Sequence, residues 1–164
     1  MANVHIFKVP LECTDNVEIG GQCTAPRLYG GVQRNAADEA FTIRNNANLV
    51  ILASNVAGSR IVTLPQALPG AHFKVIWEVE QAGNDRVFTR AGSDTIGGNI
   101  TTKVAGNEAG DGDVVAVATS TAAITVVDDV NIGSYLEFYC GVAGQWLVIG
   151  ELIVDAVGSV PTLA

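Results

Sequence analysis

Short runs in which every second residue is apolar, separated by Gly, Asn and Asp, recur along most of this chain, and no stretch carries a sustained helical period. Residues 73–79 are a clear example: Phe73, Val75, Trp77 and Val79 fall on one face and Lys74 and Glu78 on the other. Residues 86–90 alternate too, with Val87 and Thr89 opposed to Arg86, Phe88 and Arg90. Alternation of period two marks a half-buried strand. Further strands are expected at 41–44, 49–53, 60–64, 114–119, 123–127, 135–140 and 145–149, where β-branched residues crowd. Gln81-Ala82-Gly83-Asn84-Asp85 and Gly141-Val142-Ala143-Gly144 both read as hairpin loops. The single helix candidate is a turn or two at 35–41, around Ala36, Ala37 and Ala40, and an irregular loop fits there as well. Regular short strands point to an all-β fold, a small β-sandwich or barrel.

At 164 residues the chain suits one folded unit. Its texture divides it into an extended N-terminal arm (1–35), a β-sandwich domain (36–154) and a C-terminal tail (155–164). The arm carries Pro10, Pro26 and the pairs Gly20-Gly21 and Gly30-Gly31 among isolated apolar residues. Those residues, Val4, Ile6, Phe7, Val9, Leu11, Val17 and Ile19, are the candidate attachment residues, expected to be buried on a partner rather than in the domain's own core. The competing reading makes 4–9 an edge strand of the sandwich.

Apolar residues make up 48% and charged residues 16%, against about 25% charged in an ordinary domain. Such poverty of charge in a small domain points to surface hidden in an interface. The net charge of −8 opposes phosphate backbones, so nucleic acid is not an expected partner. No apolar stretch approaches the roughly 20 residues of a membrane span, and residues 1–10 lack the features of a signal peptide, so synthesis in a cytoplasm is expected. Cysteines number three, an odd count. Cys13 and Cys23 read as free thiols with no zinc-like spacing, and Cys140 as a small buried hydrophobe.

Catalytic chemistry is hard to assemble. The two histidines, His5 and His72, have no metal-binding spacing, no serine sits in a nucleophile elbow, and no glycine loop precedes a lysine as phosphate binding needs. No enzyme, catalytic residue, metal site or cofactor is expected. The run 108–113 and Asp128-Asp129 offer oxygen ligands; the first lacks calcium-loop spacing, and both read as solvated turns, with a calcium site as the alternative. The aromatic residues Trp77, Phe88, Tyr135, Phe138, Tyr139 and Trp146 fall at strand positions where core aromatics fall, although a sugar platform would use the same residues.

One ordered set stands out. Ile61-Val62-Thr63-Leu64-Pro65 is followed by Leu68-Pro69-Gly70 and the strand at 73–79, then by Asp94-Thr95-Ile96-Gly97-Gly98, expected as a tight turn whose glycines permit positive φ, and finally by Gln145-Trp146-Leu147-Val148-Ile149-Gly150. In this order the pieces resemble a module recurrent in phage tail fibres, head fibres and capsid decoration (cement) proteins. The similarity covers about residues 60–150. It implies a β-sandwich of jelly-roll type that trimerises about a threefold axis and has a structural or attachment role. The chain lacks a fibrous shaft and an intramolecular chaperone region, which favours a decoration protein. The expected partners are then two further copies of the chain and the major capsid protein, on the virion surface after assembly in a host cytoplasm. The alternative is a receptor- or glycan-binding tip of a fibre or spike, and a trimeric β-sheet hydrolase ranks third.

Overall fold

The computed structural model describes residues 31–55, 57–105, 113–126, 129–155 and 162–163, with 113–120 and 162–163 described by backbone alone. No helix forms among them. The strands are β1 (Gly31–Asn35), β2 (Phe41–Thr42), β3 (Ala47–Leu52), β4 (Arg60–Thr63), β5 (His72–Trp77), β6 (Arg86–Thr89), β7 (Thr95–Val104), β8 (Asp113–Thr121), β9 (Ala123–Val126), β10 (Tyr135–Val142), β11 (Gln145–Val154) and β12 (Thr162–Leu163). They form a seven-stranded sheet of order β1-β3-β5-β10-β11-β7-β8 and a five-stranded sheet of order β12-β9-β6-β4-β2. The fold is therefore all-β, with two mixed sheets around one core.

The first half of the chain winds as a coil. It crosses from one sheet to the other at every step, so that β1, β3 and β5 lie parallel in the larger sheet and β2, β4 and β6 lie parallel in the smaller. The second half closes the sheets with antiparallel pairs, β10 to both β5 and β11, β7 to β8, and β6 to β9. β7 and β11 run parallel over their full length. A jelly roll is built from antiparallel Greek keys, so half of the ladders here depart from that arrangement.

Alternation inside each strand explains the core. Phe73, Val75 and Trp77 of β5, Leu136 and Phe138 of β10, and Trp146 and Val148 of β11 point inward, where Val62 and Phe88 of the smaller sheet meet them. Phe73 stacks on Phe138 with centroids 4.9 Å apart, and Trp146 stands edge-on to Phe73 at 5.2 Å. Both indole N–H groups are satisfied: Trp146 Nε1 donates to the Pro65 carbonyl at 3.2 Å and Trp77 Nε1 to Gln81 Oε1 at 3.1 Å. Burial of both tryptophans agrees with the sequence. Pro65 lies two residues past the end of β4, outside the ladder, as a residue that cannot donate to it should.

Four expectations change. The loop at 81–85 is not a hairpin, because β5 and β6 belong to different sheets. Gln81 is drawn beneath the crossover, bonding through Nε2 to the carbonyls of Asn84 (2.8 Å) and Val126 (3.3 Å). Residues 36–40 form no helical turn; β1 ends at Asn35 and the chain bends into β2. The segment 94–98 is not a turn either. The turn lies one step earlier at Gly92 (φ 52°), and Gly97 and Gly98 are interior to β7. Glycine is needed at 98 for another reason: its φ is 142°, and a Cβ there would sit 1.9 Å from the Val148 carbonyl oxygen of the neighbouring strand. Lastly, the end of the presumed arm is β1, paired along its length with β3, and residues 162–163 of the presumed tail pair with β9.

Candidate interaction face

Because β5, β10 and β11 alternate, the residues opposite the core form a second surface on the outside of the larger sheet. Cross-strand register orders them in rows. His72, Tyr139, Leu147 and Gly97 lie side by side on β5, β10, β11 and β7. The next row is Val32, Leu49, Lys74, Glu137, Ile149 and Asn99. The third is Arg34, Ile51, Ile76, Tyr135, Glu151 and Thr101. Large apolar side chains therefore recur on a face that solvent reaches: Val32 is 57% exposed, Leu147 54% and Ile149 43%. An outer face of an antiparallel or mixed sheet is ordinarily polar, and exposed apolar patches mark interaction surfaces.

The charges on this face are paired. Lys74 Nζ lies 2.9 Å from Glu137 Oε1 and 3.9 Å from the Tyr135 ring centroid. The Tyr139 hydroxyl donates to Glu137 Oε2, and the Tyr139 ring stacks on His72 with centroids 4.5 Å apart. Lys103 meets Glu151 at 2.5 Å, and Arg34 meets Glu78 at 2.5 Å. The Tyr139 hydrogen bond, and then Lys74, hold the Glu137 carboxyl below its usual range, and the same bond holds the Tyr139 phenol above its own. Each described carboxylate in these rows thus has a cation beside it. In a chain of net charge −8 this face is locally neutral.

At one end of the face, where β7 and β11 begin, a groove of about 280 Å³ opens between Gly97, Gly141, Val142, Gln145 and Leu147, with Trp146 beneath. At the opposite margin of the fold a different feature appears. Arg86 opens β6 with its side chain removed from solvent; Nη2 donates to the Ser54 carbonyl at 2.5 Å, while Nε and Nη1 have no hydrogen-bond partner among the described residues. Desolvation pushes its pKa down to about 10, against the pull of Asp38. Asp38 itself pairs with Arg60 at 2.9 Å and accepts from the Ala57 amide at 3.1 Å, which holds its carboxyl below the usual value.

The residues singled out in the sequence are distributed unevenly over this picture. Val4, Ile6, Phe7, Val9, Leu11, Val17 and Ile19 lie outside the described residues, as do His5, Cys13, Cys23, 106–112 and Asp128. Cys140 is a free, buried thiol, and burial pushes its pKa up. Among the described residues no three His, Cys, Asp or Glu side chains stand close enough to hold a metal ion. Reading the sequence did not single out Lys74, Glu137, Leu147 or Ile149 as a face. The available signal was apolar residues on both sides of β11, in place of clean alternation.

The fold and this surface define an all-β, two-sheet module with an exposed, charge-paired apolar face. No family model, curated protein or solved structure matches the chain.

Proposed function

We propose that the protein is a non-catalytic structural module that self-associates through the outer face of its seven-stranded sheet. The observation that carries this reading is the combination on one face of exposed Leu147 and Ile149 with Lys74–Glu137 and Lys103–Glu151 pairs. Copies of a chain with net charge −8 repel one another wherever acidic surface meets acidic surface. A neutral apolar face is where such copies can meet at least electrostatic cost. The ordered motifs from Ile61 to Gly150 extend the reading: the assembly is a homotrimer that decorates the outer surface of a phage capsid and stabilises it. In this reading the apolar residues of 1–30 reach onto the major capsid protein, and three such segments on one trimer hold more tightly than any one alone.

The test is to mix purified protein with capsids lacking it and sediment the mixture. Co-sedimentation that saturates at a fixed ratio of chain to capsid subunit supports decoration. Protein that stays in the supernatant at every concentration overturns it. One observation favours the glycan-binding alternative: the half-exposed Tyr139–His72 stack lies in the row that ends at the groove. Binding to a glycan array that is lost in Tyr139→Ala would select that alternative.

A further inference from the structure

We infer that β12 guards a strand-acceptor edge: residues 162–163 cover β9, and on their release β9 of a second copy pairs there instead. This goes beyond the outer-face contact and does not depend on it. In the smaller sheet only β12 lies outside β9. One edge of β9 is paired with β6 over all of Ala123–Val126. The other meets β12 at two rungs, Thr162 to Thr125 and Leu163 to Ile124. β12 also lies beside β8, the last strand of the larger sheet, so it stands at the seam where both sheets end. Ile124 and Val126 are fully buried, which fixes β9 in place whatever β12 does. With β12 gone, the outer edge of β9 becomes a row of free amides and carbonyls, the template on which another strand adds.

The cover is slight. Two rungs give few ladder bonds to set against the freedom lost by the segment that joins β11 to β12. In sequence the residue before β12 is Pro161, which has no amide to add to a ladder. The edge beneath is a good strand former, since Ile124, Thr125 and Val126 are all β-branched. It also carries no charge, and that selects the occupant. Two copies of net charge −8 can meet there without desolvating a carboxylate. Paired antiparallel about a twofold axis, β9 and its counterpart each give the other the bonds they receive, so the contact closes at two copies.

Leu163→Asp in the full chain releases the guard, because it sets a carboxylate opposite buried Ile124. Leu147→Asp, which opposes the outer-face contact, serves as the background so that the two contacts are read separately. Sedimentation velocity should show the Leu147→Asp/Leu163→Asp chain at about twice the mass of Leu147→Asp alone. A synthetic peptide of residues 157–164 in molar excess should return it to the background mass, and the same peptide carrying Leu163→Asp should not. A double variant that sediments like Leu147→Asp, or an association that the peptide leaves untouched, contradicts the guarded edge. A monomeric parent removes the outer-face reading and leaves this test as it stands. Should the double variant fail to fold, hydrogen exchange of the parent decides. Successive amides of β9 turn to opposite edges, and those turned to β12 should exchange about tenfold faster than those turned to β6. Equal protection of the two sets would show that β12 is not a releasable cover.

Discussion

Arg86 shows how a single residue can depart from what its type suggests. Its place opposite Val87 and beside Phe88 was visible in the alternation at 86–90, but a charge in that position reads as solvent-facing. Instead the register of β6 against β4 and β9 carries it inward with Phe88. Burial without partners for Nε and Nη1 among the described residues makes the charged form costly. Between about pH 10 and the ordinary arginine range the unfolded chain holds more protons than the folded one, so the cost is full below pH 10 and fades above it. Arg86→Met keeps the volume and removes the charge. It should unfold at the same or a higher denaturant concentration than the parent, whereas Arg86→Ala should lose roughly 2 to 4 kcal/mol to the cavity. A loss of similar size in Arg86→Met would show that the bond to the Ser54 carbonyl outweighs desolvation. Trp146 is the opposite case, since the sequence placed it in the core and the structure agrees. Trp146→Ala should cost about 3 to 5 kcal/mol in urea titration, because it leaves a large cavity and strands the Pro65 carbonyl. A variant as stable as the parent would move Trp146 out of the core.

At the scale of elements, local signals were read well and long-range pairings were not. The β10–β11 hairpin was legible because Gly144 supplies a positive φ between two alternating runs. The same logic failed at 81–85, where glycine and asparagine also sit between alternating runs. Alternation tells which residues share a face and says nothing of which sheet a strand joins. β7 was hidden by Gly97 and Gly98, whose turn-like pairing answers a close approach to β11 instead. β1 was hidden by the glycine-rich texture before it, yet it contributes real bonds: the Gln33 side chain donates to the Thr42 carbonyl and accepts from the Arg44 amide, and the Asn35 carbonyl accepts from the Ala53 amide. A chain beginning at Gly31 should therefore unfold cooperatively, while one beginning at Ala36 should be weaker by a few kcal/mol, at about 1 kcal/mol per hydrogen bond lost. Equal stability of the two, by chemical denaturation, would make β1 dispensable. The β5–β10 pair carries a pH signature. The Glu137 carboxyl is held below its normal value, so its contribution is present above about pH 4.5 and is lost as pH falls through the lower folded value. Tyr139, held high, contributes below about pH 10 and loses that contribution as pH rises through its folded value. Glu137→Gln should flatten the acid limb of the stability profile, and an unchanged acid limb would show that the pair is too exposed to matter.

For the whole molecule, the sequence already pointed through its low charge to an interface between copies, but it named no residues for it; the attachment residues it named all lie before residue 35. The described structure offers a different surface, the outside of the seven-stranded sheet, whose apolar members come from β1, β3, β5, β10 and β11 and are united only by register. No local pattern joins Val32 to Ile149. The two surfaces are compatible: one brings copies together, and the other, in the proposed decoration role, reaches a different protein. Both rest on the chain being an oligomer. Sedimentation equilibrium of the full chain at micromolar concentration measures that directly. A single species at three times the 17.0 kDa chain mass, falling towards the chain mass in Leu147→Asp, is the expected result. A parent chain that sediments as a 17.0 kDa monomer throughout the concentration range would contradict it.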